Sequence, residues 1–376
     1  MKCLRCGNED PAYFYKGSKG YYCRKCIRFS RILFEEEPES FDYELSQDCD
    51  EYRFDYELTA EQKKASAECL AALNESDVLL YCVCGAGKTE IVIESISSYL
   101  RRGLKVAYAI ARKEVVIELE KRFAKIFPHA RITAVYGGHH DDLSGDLIVC
   151  TCHQLYRYYK SFDLLIIDEV DAFPLKGNET LMNISLSACR GRIIFSTATV
   201  DEGLKKVLAK RSYKTVSLFL RPSYEPLSLP QIFYFRQPFS LLCLNRIMSL
   251  TANQAIIFVS SRKDCLFYYR IFSRFYSCTY VYSDLENRKQ NIEAFRSGQY
   301  RFIFSTTVLE RGITIRNIDV VIMNSRKIFD AANLVQMLGR VGRGLDSKGN
   351  SYIISDHHSP SIDETVKYIR KANSYL

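Results

Sequence analysis

The stretch Cys82-Val83-Cys84-Gly85-Ala86-Gly87-Lys88-Thr89 constrains this chain more than any other. It stands between a short apolar run, Val78–Tyr81, and a helical pattern in which Val92, Ile96, Tyr99 and Leu100 share one face. Arg101-Arg102-Gly103 then supplies a helix stop. Strand, glycine-broken loop, Lys-Thr and helix together predict a phosphate-binding loop. Glycines let backbone N–H groups close around an anion, and the helix N-terminus adds partial positive charge. Gly85, Ala86, Gly87, Lys88 and Thr89 are the expected nucleotide-binding residues. Lys88 would reach the terminal phosphates and the Thr89 hydroxyl would ligate Mg²⁺. Position 82 is Cys where the strict pattern has Gly, and a plain tight turn is the competing reading. The rest of the chain decides between the two.

From Leu58 onward, short apolar runs alternate with amphipathic segments. The runs are 105–109, 146–151, 164–167 and 192–196, then 255–259, 280–282, 302–305, 320–323 and 352–354. Such runs separated by helices predict parallel strands covered on both faces. Three prolines within 221–230 break the rhythm and read as a linker. The expected organisation is α/β: two parallel-sheet units over 58–220 and 231–376, preceded by 1–34 and a linker at 35–57.

Cys3-x2-Cys6 and Cys23-x2-Cys26 have the spacing of a four-thiolate zinc ribbon. Four thiolates leave no open coordination position, so the expected role of Zn²⁺ is structural, and losing a ligand should unfold the ribbon while sparing the rest. A disulfide pair is the competing use of these cysteines. No apolar run reaches the length of a membrane span and no signal-peptide core is present, so the expectation is a cytoplasmic chain, which disfavours disulfides. The other ten cysteines are scattered, nearly all in apolar stretches, and read as small buried hydrophobes.

The net charge of +8 is unevenly spread. Residues 35–57 hold eleven acids and one base, so the remainder carries +18. A basic body points to a polyanionic partner, nucleic acid first. The acidic stretch reads as a linker, with a flap over the basic body as the alternative.

Leu164–Ile167 ends in Asp168-Glu169-Val170-Asp171. A buried strand emptying into carboxylates suits an open α/β sheet, whose ligands bind beyond the carboxyl ends of the strands. Asp168 would hold Mg²⁺, and Glu169 would orient and deprotonate the attacking water. Gln336–Arg343 carries Arg340 and Arg343, each preceded closely by glycine, where guanidinium groups can stabilise charge on a transferring phosphoryl.

With these motifs in this order, residues 58–355 resemble superfamily 2 helicases, whose two RecA-like domains use ATP. By that resemblance 58–62 is the glutamine motif, with Gln62 reading adenine. Lys88-Thr89, Asp168–Asp171 and Ser196–Thr199 are motifs I, II and III. Residues 256–260, 306–314 and 336–343 are motifs IV, V and VI. The resemblance implies catalytic roles for Lys88, Asp168, Glu169, Arg340 and Arg343, and nucleic-acid contacts from Arg112, Thr151, Ser260, Thr306 and Thr307. Tyr156–Lys160 interleaves tyrosines with cations and reads equally as a stacking surface or as a buried face.

The four-cysteine ribbon, Asp168–Pro174 and Glu310–Thr314 together resemble the ComFA family of late-competence ATPases over nearly the whole chain. This implies an ATP-driven motor on single-stranded DNA, serving DNA uptake with competence proteins at the inner membrane face. Ala111 replaces the usual proline before Arg112. The ribbon starts at residue 3, without the extension often seen in that family, so a docking surface is expected to be missing. The rival readings are a replication-restart or repair helicase and a non-hydrolysing zinc-ribbon DNA adaptor. A DEAD-box RNA helicase fits less well, because Thr314 stands where that type has Asp.

Overall fold

The computed structural model describes residues 1–376 apart from 35, 39, 46–50, 311–314, 325–328 and 345–346. It divides the chain into two compact units, 1–82 with 88–218, and 83–87 with 219–376.

The first unit opens with an antiparallel hairpin, β1 (Phe14–Gly17) and β2 (Gly20–Cys23). Its main body is a seven-stranded sheet made of β3 (Asp77–Cys82), β4 (Val106–Ile110), β5 (Ile132–Val135), β6 (Leu147–Thr151), β7 (Phe162–Asp168), β8 (Cys189–Thr197) and β9 (Tyr213–Leu218). The strand order is β5-β6-β4-β7-β8-β3-β9, and every pairing is parallel. All residues of β4 and β6 are buried, as expected of strands with helices on both faces. The chain leaves β3 and returns three places away at β4. The crevice opened by such a reversal lies outside the carboxyl ends of the strands.

The second unit is a six-stranded sheet of β10 (Gln231–Tyr234), β11 (Gln254–Phe258), β12 (Cys278–Val281), β13 (Phe302–Ser305), β14 (Ile318–Asn324) and β15 (Ser351–Ser355). Its order is β10-β15-β14-β11-β13-β12, again all parallel. Each unit is the RecA-like α/β sheet that the motif order implies.

Three strands escape the sequence reading: β5, β9 and β10. All three are sheet edges. β9 and β10 are largely exposed or half-exposed, so neither is the unbroken apolar run by which a buried strand is recognised.

The ribbon is not an independent bead. Its four cysteines, Phe29 and Ile32 belong to the same buried cluster as Cys150, Leu155, Leu165 and Leu181 of the main body. Phe29 lies 5.6 Å from the Tyr156 ring and stacks on His153. Asn183 donates its side-chain amide to the Cys6 carbonyl at 3.0 Å. Tyr158 and Tyr159 are buried as well, so the 156–160 segment is a packing face rather than a stacking surface.

The acidic stretch also lies against the first unit. Asp42 pairs with Lys105, the Phe41 ring meets Tyr158 at 5.9 Å, and Tyr52 donates to Glu94. Tyr56 donates to Glu90 at 2.9 Å, and Arg122 bonds both. Glu35, Glu39, Asp48 and Asp50 of this stretch fall outside the described residues.

Candidate nucleotide site and metal centre

Asp168 ends β7 and is almost wholly buried. Its carboxylate accepts the Ser196 hydroxyl at 2.6 Å and the Glu169 backbone N–H at 2.9 Å on one oxygen, and the Tyr108 hydroxyl at 2.8 Å on the other. Residues of three neighbouring strands, β4, β7 and β8, thus meet at one carboxylate. Thr199 donates to Asp171 at 2.7 Å, so Ser196–Thr199 serves as a rack for both outer acids of 168–171. Tyr108, Ser196 and Thr199 were given no such role by the sequence. Tyr108 reads there as one more apolar strand residue.

Glu169 has a backbone φ of +55°, a left-handed conformation costly for a residue with a Cβ. Such strain persists where the surroundings over-determine it, and it aims the side chain away from the direction that a continued strand would take.

Burial holds the Asp168 carboxyl above the usual carboxylate range, with Lys88 opposing the shift and Glu169 adding to it. The folded chain therefore takes up this proton more readily than the unfolded chain. Stability falls as pH rises from the unfolded carboxylate value, about 3.9, through the raised folded value. Asp168→Asn, neutral throughout, should raise the thermal midpoint at pH 7 in Mg²⁺-free buffer while abolishing Mg²⁺-dependent turnover. Melting both proteins between about pH 4 and 8 checks this, and the curves should converge toward the acid end. Equal midpoints at every pH would show that burial of this charge costs the fold nothing.

Residues 83–87 segregate with the second unit. Gly85 and Gly87 take φ values of +85° and +86°, which explains the glycines on either side of Ala86. Arg221, almost fully buried, donates to the carbonyls of Cys84 at 3.0 Å, Val341 at 2.8 Å, and Gly339 and Gly342 at 3.1 Å. Desolvation lowers its pKa to about 10, with Arg343 nearby contributing. A Cβ on Gly339 would lie 2.7 Å from that of Cys84, and one on Gly342 would lie 3.2 Å from the Arg221 guanidinium. The glycines of 336–343 therefore serve close packing against Cys84 and Arg221. Arg221 itself reads in sequence only as the first residue of the proline-rich linker.

The remaining expected positions are distributed as follows. Arg112 follows β4 and precedes helix Lys113–Ile126, while Thr151 ends β6. Ser260 follows β11, and Thr306-Thr307 follow β13, half-exposed. All of them stand at carboxyl ends of strands within their own sheets. Arg340 is buried with its Nε–H on the Glu310 carbonyl at 3.0 Å. Arg343 is half-exposed, with its Nε–H on the Gly339 carbonyl at 2.9 Å. Gln62 is buried, and its side-chain oxygen accepts the Thr59 N–H at 3.1 Å in a capping box. The 311–314 half of the 306–314 motif lies outside the described residues.

The sulfurs of Cys3, Cys6, Cys23 and Cys26 all lie within 4.8 Å of one another and are buried. Cys3–Cys26 and Cys6–Cys23 are each 3.8 Å apart. A tetrahedron with Zn–S bonds of about 2.3 Å has edges of about 3.8 Å, so the donor set fits Zn²⁺. Buried Arg5 completes the argument. It bonds the Cys26 sulfur at 3.2 Å and the carbonyls of Cys26 at 2.7 Å, Phe29 at 2.6 Å and Ser30 at 2.7 Å. No carboxylate pairs with it among the described residues. A guanidinium buried beside four sulfurs is suited to offset the surplus negative charge of a four-thiolate zinc centre. The singly placed thiols differ: burial pushes Cys82 and Cys152 up to about 12, so neither is a reactive thiolate.

Comparison with known proteins gives a consistent picture. Residues 239–344 match the family described as Helicase conserved C-terminal domain, and residues 55–202 match Type III restriction enzyme, res subunit. The chain is 31% identical to Competence protein ComFA of Streptococcus pneumoniae, over 99% of this chain and 90% of that protein. It is 29% identical to Competence protein ComFA of Bacillus subtilis, over 99% and 85%. Among solved structures, S. cerevisiae Dbp5 bound to RNA and ADP BeF3 superposes with a TM-score of 0.64 at 16% identity, over 85% of this chain and 92% of that chain. RecG bound to a three-way DNA junction superposes at 0.60 and 20% identity, over 86% and 47%. These last two establish the fold.

Proposed function

The chain belongs to the ComFA family of competence proteins, and from that premise we propose that it is an ATP-driven translocase on single-stranded DNA that serves uptake of transforming DNA. It is an ATPase of the superfamily 2 helicase type, built on two RecA-like sheets. The observation that carries the mechanism is the buried Asp168 carboxylate, held by the hydroxyls of Ser196 and Tyr108 at the strand end where Glu169 takes its left-handed turn.

In this reading Lys88 neutralises the terminal phosphates, and the Gly85–Gly87 N–H groups hold the phosphate oxygens. Thr89 and Asp168 hold the Mg²⁺ ion, which when bound neutralises charge between the phosphates. Tyr108, bonded to Asp168, fixes the orientation of that carboxylate. Glu169 orients the attacking water and accepts its proton. Arg340 and Arg343 stabilise charge on the transferring phosphoryl, and half-exposed Arg343 is the freer of the two to do so. Arg112, Thr151, Ser260, Thr306 and Thr307 hold the sugar–phosphate backbone, which positions a strand without reading its sequence. Gln62 would meet the adenine from its place in the capping box. Zn²⁺ at the four cysteines is structural. Among the described residues no helix is long and apolar enough to cross a membrane. In this reading the protein acts with competence proteins at the inner membrane face.

ATP turnover measured with single-stranded DNA, duplex DNA and RNA in turn tests the reading. Single-stranded DNA should stimulate most, with a response that weakens as salt rises. Lys88→Ala should lose nucleotide binding and turnover together. Stronger stimulation by RNA would refute the substrate assignment, and wild-type turnover in Lys88→Ala would refute the site.

A further inference from the structure

The ribbon carries a surface that neither the motor nor the zinc centre uses. Pairing in the β1–β2 hairpin sets Tyr15 opposite Tyr22, and the Arg24 N–H to Tyr13 carbonyl bond at 2.7 Å continues the ladder one residue outward. The pairing puts Tyr15 and Tyr22 on one face of the hairpin, and Tyr13, last residue of the helical turn Pro11–Tyr13, and Arg24 stand immediately beside its open end. Gly17 and Gly20 share that face and add no side chain to it; a Cβ on Gly17 would lie 3.2 Å from the Tyr22 ring. Tyr13 and Tyr15 are 42% and 52% exposed, high values for aromatic rings in a folded chain. Tyr22 is buried behind them, 5.6 Å from Tyr15.

Each of these rings carries its own cation. Lys25 lies 5.4 Å from the Tyr13 ring centre, Arg24 5.8 Å from Tyr15 and Arg31 4.5 Å from Tyr22. Residues 1–34 hold eight Lys and Arg against two acids, and Arg5 alone of the eight is buried. A solvated basic surface needs no exposed tyrosines, and a protein-docking face of this size would ordinarily be less charged at its centre. Rings interleaved with cations match a strand whose bases are unpaired and whose backbone is anionic. A duplex hides its base faces and could use only the cations.

We propose that the exposed rings of Tyr13 and Tyr15, with Arg24, Lys25 and Arg31, form a stacking platform for single-stranded DNA, separate from the strand-end contacts of the two sheets. It deepens the proposed function and rests on single-stranded DNA being the substrate. Bases stack on Tyr13 and Tyr15, and the cations that covered those rings swing to the flanking phosphates.

The test uses the full-length protein without nucleotide and the fluorescence anisotropy of a labelled oligothymidylate about 20 nucleotides long. Tyr13→Ser with Tyr15→Ser should weaken binding roughly 30-fold, the product of two missing stacks, with zinc content and thermal midpoint unchanged. Tyr13→Phe with Tyr15→Phe should bind as wild type, because stacking needs the ring and not the hydroxyl. Arg24→Gln with Arg31→Gln should lower the salt slope by about 0.7 for each phosphate no longer neutralised. Unchanged affinity in the serine pair overturns the platform, whatever the ATPase does. Equal loss in the phenylalanine pair overturns it too, since hydrogen bonding would then be responsible. Binding to phosphatidylglycerol vesicles that the serine pair abolishes, with oligonucleotide binding intact, assigns the face to a membrane and also overturns it. If the serine pair loses oligonucleotide affinity while wild-type ATPase ignores single-stranded DNA, the motor reading fails and the platform stands.

Discussion

Glu169→Gln should bind Mg·ATP as tightly as wild type and turn it over about 10²–10⁴-fold more slowly. The substitution keeps side-chain length and shape, and the backbone at φ +55° is asked of Gln as it was of Glu. What disappears is the acceptor for the proton of the attacking water. Asp168 is not its substitute, because in the proposed site it is the residue that would hold Mg²⁺. Binding measured with a fluorescent nucleotide, beside single-turnover hydrolysis, separates the two effects. Hydrolysis at the wild-type rate would mean that Glu169 is not the base. Loss of nucleotide affinity in step with rate would mean that it holds the nucleotide instead.

The second large effect is expected from the ribbon. Cys3→Ser with Cys26→Ser should abolish zinc binding, which in such sites supplies on the order of 10–16 kcal/mol of apparent free energy. Sequence alone suggests a ribbon that unfolds by itself and spares the body. The shared core alters that expectation. Phe29 and Ile32 are held in a cluster continuous with Leu155, Leu165 and Leu181, and each stabilises the fold by about 1.5–3 kcal/mol through burial. Withdrawing both side chains from that cluster should lower the thermal midpoint of the first unit by roughly 10 °C. Metal analysis of the purified proteins and calorimetry of each check this. Wild-type protein without zinc would remove the metal assignment, and an unshifted first-unit transition would show that the ribbon is merely tethered.

Much of the fold was legible because burial on both faces writes itself into the chain. The inner strands β4, β6, β7 and β14 are unbroken apolar runs, and helix-spaced residues between them imply parallel neighbours. The edge strands β5, β9 and β10 were not legible. Strands β9 and β10 have one neighbour and a wetter face, and their sequences are correspondingly mixed, while β5 is only four residues long and includes Thr133.

The candidate site divides in the same way. Local chemistry determined the backbone of the candidate phosphate loop, since Gly85 and Gly87 take positive φ and Lys88-Thr89 begin a helix. Local spacing likewise determined the two Cys-x-x-Cys turns. Tertiary structure alone decided that Tyr108 holds Asp168, that Arg221 binds the Cys84 carbonyl and three carbonyls of 339–342, and that Arg5 faces the four sulfurs. Tyr108 and Arg221 are isolated in sequence, with nothing nearby to mark their partners, and Arg5, although inside the first Cys-x-x-Cys turn, takes its carbonyl partners from Cys26, Phe29 and Ser30. The fold brings these groups together and buries them where an unmet hydrogen bond is costly.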